Sequence, residues 1–338
     1  MRIPGFIDVQ VNGYKGVDFT GEGVRELTVE SCADACRAYL AEAGCVAFCP
    51  TIITSHEHEY ERTIPLLATV MEMPEFAGRL PGLHLEGPFL SPEDGAKGAH
   101  RAECMSPPST EYFDRLLALA RGKVAIMTIA AELPGAADFT RYAVSKGVAI
   151  SNGHSLASAE DLAAITEAGA TMITHLGNGM PNMVHRHHNI VLDGCANDQL
   201  TAGIITDSFH LPLSILKTIL TAKSAARCVV VSDIAFPGGC PPGDFTWGGE
   251  VARLEEDGHL HMPDRANGPL PQDRTMAGSS RNSTRSPHPS PTPPGIAQPT
   301  CWSGRVSATA ATPAPPLSTP LCAFANRARR VCAQCSSV

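Results

Sequence analysis

The sequence predicts an α/β fold, namely a (β/α)8 TIM-type barrel with a partial small β domain and a disordered C-terminal tail. Eight short apolar, β-branched runs lie between residue 6 and about residue 235. Amphipathic segments separate these runs, and turns with short alternating stretches follow residue 240. Eight strands that alternate with helices are the count of such a barrel. A doubly wound sheet shows the same alternation, so the strand count alone leaves it open.

The eight runs can be read directly from the chain. In order, they are FIDVQV, CVAFCPT, LPGLHLEG, KVAIMTIAAE, GVAISNGHS, TMITHLGN, LTAGIITD and CVVVSD. Helix-like stretches such as TVESCADACRAYLAEAG and SAEDLAAITEAGA lie between them. The second stretch begins with Ser-Ala-Glu and ends at a glycine, as capped helices do. We therefore assign residues 1–240 to the barrel.

The chain changes character twice after the barrel. Residues 241–280 include GDFTWGGEVARLEEDGHLHMPD, which predicts a few antiparallel strands. Residues 281–338 contain no Asp, Glu or Lys, and all six of their charged residues are arginines. Such a segment cannot bury enough apolar surface to offset its ordering entropy. It is either a natural disordered tail or, as we favour, the translation of a shifted reading frame, which the nucleotide sequence would reveal.

Composition excludes several classes of protein. The formal net charge of -8 argues against nucleic-acid binding, which requires a basic surface. No apolar stretch approaches the roughly 20 residues that span a bilayer, and the start MRIPGFIDVQ does not resemble an export signal, so we expect a cytoplasmic protein without membrane contacts. Its twelve cysteines are then expected to be reduced. Three closely spaced pairs lack a second ligand pair for a structural zinc: Cys32 and Cys36, Cys45 and Cys49, Cys332 and Cys335.

Ionisable side chains stand at the ends of the predicted strands. They are Glu86, His154, His175, His210 and Asp233. In a barrel all these ends meet on one face. One carboxylate and two imidazoles can hold a catalytic divalent ion with a position open for water, whose pKa falls from near 16 to about 7, and Asp233 is the candidate base. Taken singly, each histidine could simply satisfy a hydrogen bond, and Glu86 could pair with a lysine.

Several motifs together resemble a known family. PGFIDVQVNG, GLHLEGPFL with KGAHR, GHS, THLGNGMP, ITDSFH and SDIAFPGG resemble, in order and spacing, the N-acetylglucosamine-6-phosphate deacetylases of the amidohydrolase superfamily. The resemblance covers about residues 4 to 280. It implies a barrel of the metal-dependent hydrolase kind with a small β-sandwich domain, usually a homodimer. Its activity in amino sugar catabolism would convert N-acetyl-D-glucosamine 6-phosphate to D-glucosamine 6-phosphate and acetate.

The resemblance assigns the chemical roles residue by residue. Glu86, His154 and His175 resemble the metal ligands, and Asp233 resembles the general base that later acts as acid. His100 resembles the residue that polarises the acetamide carbonyl. We expect one divalent ion, Zn2+ first, with Fe2+, Co2+ or Mn2+ as alternatives. No cysteine or serine nucleophile is required, since a metal-activated water attacks directly.

The substrate contacts follow in the same way. The residues that resemble them are His100, Asn178, Gly179, His210, Met276, Ala277 and Gly278. Arg186 resembles an arginine that reaches into the neighbouring subunit's site and holds phosphate, for which a guanidinium is suited.

Two positions on the first strand predict a single ion at the barrel mouth. Many superfamily members carry a His-x-His there that binds a second ion, whereas this chain has Gln10 and Asn12. An amide is a poor ligand for a transition metal. Both residues could merely satisfy strand-end backbone groups.

The chain departs from the family pattern in three places. Gly177-Asn178-Gly179 stands where the family has aromatic-Asn-Ala, which removes a side chain near the sugar. The N terminus starts at the first barrel strand, and a Pro-rich segment replaces the expected last helices, so the protein resembles a truncated family member. Two alternatives therefore stay open: an amidohydrolase for another amide or N-acyl sugar, and a non-functional remnant or sugar-phosphate-binding module.

Overall fold

A barrel of eight parallel strands forms the body of the protein. The computed structural model describes residues 5–247 and 249–263 and the backbone of residues 274–275. The barrel strands are β1 Phe6–Val11, β2 Cys45–Ile53, β3 Leu83–Glu86, β4 Val124–Ile129, β5 Ala149–Asn152, β6 Met172–Ile173, β7 Thr201–Ile205 and β8 Cys228–Val231. Each strand pairs in parallel with the next one in the chain. A doubly wound sheet would reverse its strand order, so the sequential order excludes it.

Hydrogen bonds close the barrel between β1 and the residues directly after β8. The NH of Asp233 donates to the carbonyl of Gln10 at 3.0 Å, and the NH of Asn12 donates to the carbonyl of Ile234 at 2.8 Å. Val11 and Ile234 form a parallel bridge at the same place. These bonds satisfy backbone groups that an open edge would leave unpaired. The seam therefore joins the first strand to the segment that carries Asp233.

Seven helices lie between the eight strands. They are α1 Val29–Glu42, α2 Glu57–Met71, α3 Thr110–Leu119, α4 Ala136–Ser145, α5 Ala159–Glu167, α6 Ile190–Ala196 and α7 Leu213–Lys223. The hydroxyl of Ser158 accepts from the NH of Asp161 and caps α5, and Gly169 follows the helix with φ 110°. The helix predicted from the cap pattern of SAEDLAAITEAGA is thus confirmed.

The interior of the barrel has an apolar layer and a polar layer. Seven strands each contribute one side chain to the apolar layer, namely Val9, Cys49, Ile126, Ala149, Met172, Ile205 and Val231. Thr128 and Ser151 stand two residues further along two of these strands and point the same way because strand side chains alternate, and Thr174 directly follows β6. Thr174 Oγ1 lies 2.7 Å from Thr128 Oγ1 and 2.6 Å from Ser151 Oγ. This buried hydroxyl chain forms the floor beneath the carboxyl ends of the strands.

A second sheet follows β8. Its strands are β9 Gly243–Trp247, β10 Glu250–Leu254, β11 Leu260–Met262 and β12 Arg274–Thr275, all antiparallel. Phe236 and Trp247 pack edge to face, with ring centroids 5.6 Å apart, in the small core of this sheet. The antiparallel strands predicted after residue 240 are therefore present. The domain division at residues 240 and 280 stays a prediction, and residues 281–338 lie outside the described residues.

None of the helices in the described ranges is long and apolar enough to span a bilayer.

Candidate metal centre

Three side chains from β3 and from the ends of β5 and β6 converge at the mouth of the barrel. Glu86 Oε1 lies 3.2 Å from His154 Nε2 and 2.9 Å from His175 Nε2. The two Nε2 atoms are 3.1 Å apart, and all three residues are buried. Ligands at about 2.0–2.1 Å from a tetrahedral ion lie roughly 3.3 Å from one another. The arrangement therefore fits one divalent ion, and within the described ranges it is the buried cluster of metal-binding type.

The backbone is strained where these side chains leave their strands. His154, His175 and Asp233 have φ values of 51°, 28° and 50°, in the left-handed region. Such a conformation costs a residue other than glycine about 1–2 kcal/mol. Each stands two residues after the last residue of its strand. The turn aims each side chain across the barrel mouth, so the strain accompanies the convergence of the ionisable groups.

A loop carbonyl fixes the tautomer of His154. Its Nδ1 donates to the carbonyl oxygen of Ala96 at 2.8 Å, so the Nε2 lone pair is directed at the cluster. Partners of this kind orient metal-binding imidazoles. The ring fits closely against its surroundings, because a Cβ on Gly179 would lie 2.9 Å from His154 Nδ1. A glycine at residue 179 thus gives the imidazole room.

The amides of Gln10 and Asn12 bind the two carboxylates of the site. Gln10 Nε2 donates to Glu86 Oε1 at 3.0 Å, and Asn12 Nδ2 donates to Asp233 Oδ1 at 2.7 Å. Both amides are buried. Their side chains therefore position Glu86 and Asp233, whereas the sequence left open that they serve only the backbone.

The two carboxylates have opposite pKa shifts. Burial alone would raise the pKa of Glu86, but the adjacent imidazoles of His154 and His175 hold it well below its ordinary value. Burial raises the pKa of Asp233 to about 7, and the charge of Glu86 adds to the rise. One carboxylate is thus ionised, while the other can exchange a proton near neutral pH.

His100 is a neutral donor next to the cluster. The NH of Thr54 donates to His100 Nδ1 at 3.3 Å, which leaves the ring proton on Nε2. That nitrogen lies 3.1 Å from His154 Nε2 and 3.8 Å from Glu86 Oε2. Burial is the largest cause that lowers the pKa of His100 to about 3. An uncharged Nε2–H therefore faces the cluster of Glu86, His154 and His175.

The predicted substrate-contact residues differ in their surroundings. His210 Nδ1 lies 2.7 Å from Asp207 Oδ2, and among the described residues its buried Nε2 has no hydrogen-bond partner. The NH of Asn178 donates to the carbonyl of His175 at 2.8 Å and is engaged within the turn. Arg186 is exposed on the segment before α6. Met276, Ala277 and Gly278 lie outside the described residues.

A small cavity adjoins His154. Gly177, Asn178 and Gly179 form part of its lining. The turn that resembles a sugar-phosphate contact is thus next to the proposed metal ligands.

Sequence reasoning did not identify three supporting residues. Ala96 and Thr54 act through backbone groups, which carry no signal in residue type. Asp207 could have been predicted from the sequence, because an aspartate three residues before His210 can reach the imidazole ring.

The combination of fold and site defines a class. Closed barrels that gather imidazoles and carboxylates at the carboxyl ends of their strands are typical of the metal-dependent amidohydrolases, and this chain shares that architecture. No family model matches the chain. Individual proteins and solved structures, however, do match the chain.

Curated relatives and solved structures are N-acetylglucosamine-6-phosphate deacetylases. The chain is 35% identical over 258 residues to the Danio rerio protein of that name, covering 72% of this chain and 61% of the relative. It is 38% identical over 224 residues to the Homo sapiens protein, covering 61% and 51%. The Mycobacterium smegmatis structure of that name has a TM-score of 0.70 at 26% identity, covering 82% of this chain and 68% of the other.

The resemblance predicted from the motifs is thereby confirmed, and the chain is related in sequence and fold to these deacetylases. It spans about half to two thirds of the length of the curated relatives that it matches.

Proposed function

We propose that the protein deacetylates N-acetyl-D-glucosamine 6-phosphate, giving D-glucosamine 6-phosphate and acetate. The observation that carries the proposal is the buried convergence of Glu86, His154 and His175, with Asp233 at the same barrel mouth. The printed names of the relatives in sequence and fold support the substrate. A structure of a variant of the M. smegmatis relative contains this sugar phosphate.

We propose that the three clustered residues hold one divalent ion. Zn2+ suits two imidazoles and a carboxylate, and Fe2+, Co2+ or Mn2+ are alternatives. When bound, such an ion supplies positive charge that acidifies a water molecule and polarises a carbonyl group. Gln10 orients Glu86 for this role, and the Ala96 carbonyl orients His154.

Asp233 then moves the proton of the reaction. Its carboxylate takes a proton from the attacking water, whose oxygen forms a bond to the acetamide carbon. The protonated carboxyl returns that proton to the nitrogen as the carbon–nitrogen bond breaks, so water and amide become acetic acid and amine. The acid then gives its proton to the amine, which leaves acetate and the protonated amine. A pKa near 7 suits both directions of transfer. Asn12 keeps the carboxylate oriented during the exchange.

His100 stabilises the oxygen of the acetamide. The NH of Thr54 occupies Nδ1, so Nε2–H is available to donate as negative charge develops on that oxygen. A neutral imidazole suits this role, because it donates without competing with the ligands for the ion. No acyl-enzyme is needed, and we assign no nucleophilic role to a serine or a cysteine.

The sugar phosphate is held by groups around the same mouth. We propose that His210, the Asn178–Gly179 turn and residues 276–278 contact it, and that the turn opens its Asn178 NH on binding. Arg186 is exposed, as a residue that serves a neighbouring subunit must be, and we propose a homodimer in which its guanidinium binds phosphate across the interface. A charged substrate that does not cross a bilayer favours the cytoplasm.

The deciding experiment measures bound metal and acetate release on the same sample of the full chain. We expect turnover of N-acetyl-D-glucosamine 6-phosphate and much weaker turnover of the unphosphorylated sugar. Arg186→Ala should raise KM for the phosphorylated substrate, with Arg141→Ala on the exposed face of α4 as the matched control. Equal turnover of both sugars would indicate a hydrolase for another amide. Tight binding without acetate release would indicate a binding module.

A further inference from the structure

A second cluster of metal-binding type lies outside the barrel mouth. His56, Glu103 and Cys104 place one ligand atom each within 4.8 Å of one another. His56 precedes α2 in the loop after β2, and the other two belong to a short 3-10 turn, Ala102–Cys104, in the loop after β3. Nothing in the deacetylation proposed above uses them. Three ligand types from two loops therefore meet at one place.

The spacing of the two softer ligands suits a single ion. His56 Nδ1 lies 3.4 Å from Cys104 Sγ. An ion bound at about 2.0 Å to nitrogen and 2.3 Å to sulfur separates these atoms by roughly 3.5 Å in tetrahedral geometry. Glu103 is exposed and can turn its carboxylate towards the pair. A thiolate ligand selects zinc and its neighbours over magnesium or calcium.

We propose that His56, Glu103 and Cys104 form a second, thiolate-containing site for a divalent transition ion such as Zn2+. Binding releases one proton from the Cys104 thiol, so the ion is held by one neutral imidazole, one carboxylate and one thiolate, with water completing the shell. The two negative ligands balance the two positive charges of the ion. Without metal, burial raises the pKa of Cys104, and the thiol is the resting form.

The location gives this site a consequence for the barrel mouth. Thr54, two residues before His56, donates its NH to His100 Nδ1, and Cys104 lies four residues after His100. An ion between His56 and Cys104 would clip together the two loops that hold the His100 ring. The backbone of His56 is itself anchored, because its carbonyl accepts from the NH of Glu59 at 2.9 Å. The ion would therefore link the N-terminus of α2, which this hydrogen bond anchors, to the loop that carries His100.

Cobalt substitution tests the proposal without relying on activity. The metal-free full chain is titrated with Co2+, and bound metal is counted while the near-ultraviolet thiolate-to-cobalt absorption is recorded. We expect two ions per chain and a thiolate band. Cys104→Ser should reduce the count to one and abolish the band, and His56→Asn should do the same with the sulfur still in place. Glu86→Gln should also leave one ion but keep the band, because the barrel-mouth site contains no sulfur.

A matched control concerns Cys332 and Cys335, the closest-spaced pair of cysteines in the sequence. Cys332→Ser combined with Cys335→Ser should keep both ions and the band. Loss of the band in that double variant, or its survival in Cys104→Ser, would assign the thiolate elsewhere and overturn the proposal. If the wild type bound one ion per chain and showed no thiolate band, His56 and Cys104 would form only a hydrogen bond and no metal site. In the wild type, Zn2+ at ten times its dissociation constant should also slow alkylation of Cys104 about tenfold.

Discussion

Asn12 Nδ2 donates to Asp233 Oδ1 at 2.7 Å, across the seam where the first strand of the barrel meets the segment after the last. The same seam contains the bond from the NH of Asp233 to the carbonyl of Gln10. Barrel closure and the orientation of the proposed base thus depend on the same few residues. The amide at residue 12 thus acts as a donor to the carboxylate.

Asn12→Ala should reduce turnover while leaving substrate affinity intact. The substitution removes a buried hydrogen bond to a charged group, which contributes about 1.5–3 kcal/mol. If the bond orients Asp233 during proton transfer, kcat falls by roughly tenfold to a hundredfold, with KM little changed. Steady-state kinetics of acetate release measures both parameters. An unchanged kcat would show that the seam positions Asp233 without this bond.

Asp233→Asn should abolish turnover without releasing the metal. The amide cannot accept the proton of water, and removal of a general base costs about 10²–10⁴ in rate. Glu86, His154 and His175 are unchanged, so metal content measured on the purified variant should equal that of the wild type. Asp138→Asn on the exposed surface of α4 is the control and should keep full activity. Turnover in Asp233→Asn within a few-fold of wild type would remove the assignment.

The raised pKa of Asp233 predicts how stability depends on pH in the metal-free protein. Its pKa is about 7 in the folded state against an ordinary value of 3.8. A carboxyl with a raised folded pKa contributes stability that is present below its unfolded pKa and is lost as pH rises through the folded value. The free energy of unfolding of wild type relative to Asp233→Asn should therefore fall between about pH 4 and 7, by about 1.4 kcal/mol per pH unit. Urea denaturation in the presence of a chelator measures this difference, and a flat profile would contradict the shift.

The sequence predicted the barrel well because its signals are local. Each strand is a short apolar run, and placing polar residues at strand ends required only that all parallel strands end on one face. The partners of those residues were harder to predict. Asn12 and Asp233 are 221 residues apart, and only barrel closure brings them together. The Ala96 carbonyl and the Thr54 NH, which fix two imidazoles, lie in loops whose conformation does not follow from periodicity.

His100→Ala should reduce kcat more than it affects metal binding. Loss of one donor to a developing oxyanion costs about 10²–10³ in kcat. His100→Gln, which keeps an NH donor, should recover part of the loss. His58→Ala, on an exposed turn of α2, is the control and should match the wild type. A parallel loss of bound metal in His100→Ala would instead make His100 a ligand.

Gly153→Ala should weaken metal binding through packing alone. Gly153 directly precedes His154, and an added Cβ would lie 2.7 Å from Thr128 Cγ2 and 2.8 Å from Thr174 Cβ. Both threonines are buried in the hydroxyl floor and cannot move away freely. We expect about 1–3 kcal/mol of destabilisation from overpacking. His154 would be displaced at the same time, and metal affinity would fall by about 10–100-fold, as for loss of a supporting contact.

Gly122→Ala separates this effect from the general cost of replacing a glycine. Gly122 has φ 73°, and a Cβ there would meet nothing within 4 Å. Its variant should lose about 1 kcal/mol through backbone strain and bind metal as the wild type does. Metal titration combined with urea denaturation of both variants gives the two quantities. If Gly153→Ala lost stability but kept its metal affinity, the floor would support the fold without setting the position of His154. If both fell together while Gly122→Ala kept its metal, packing beneath the strand ends would set the geometry of the centre.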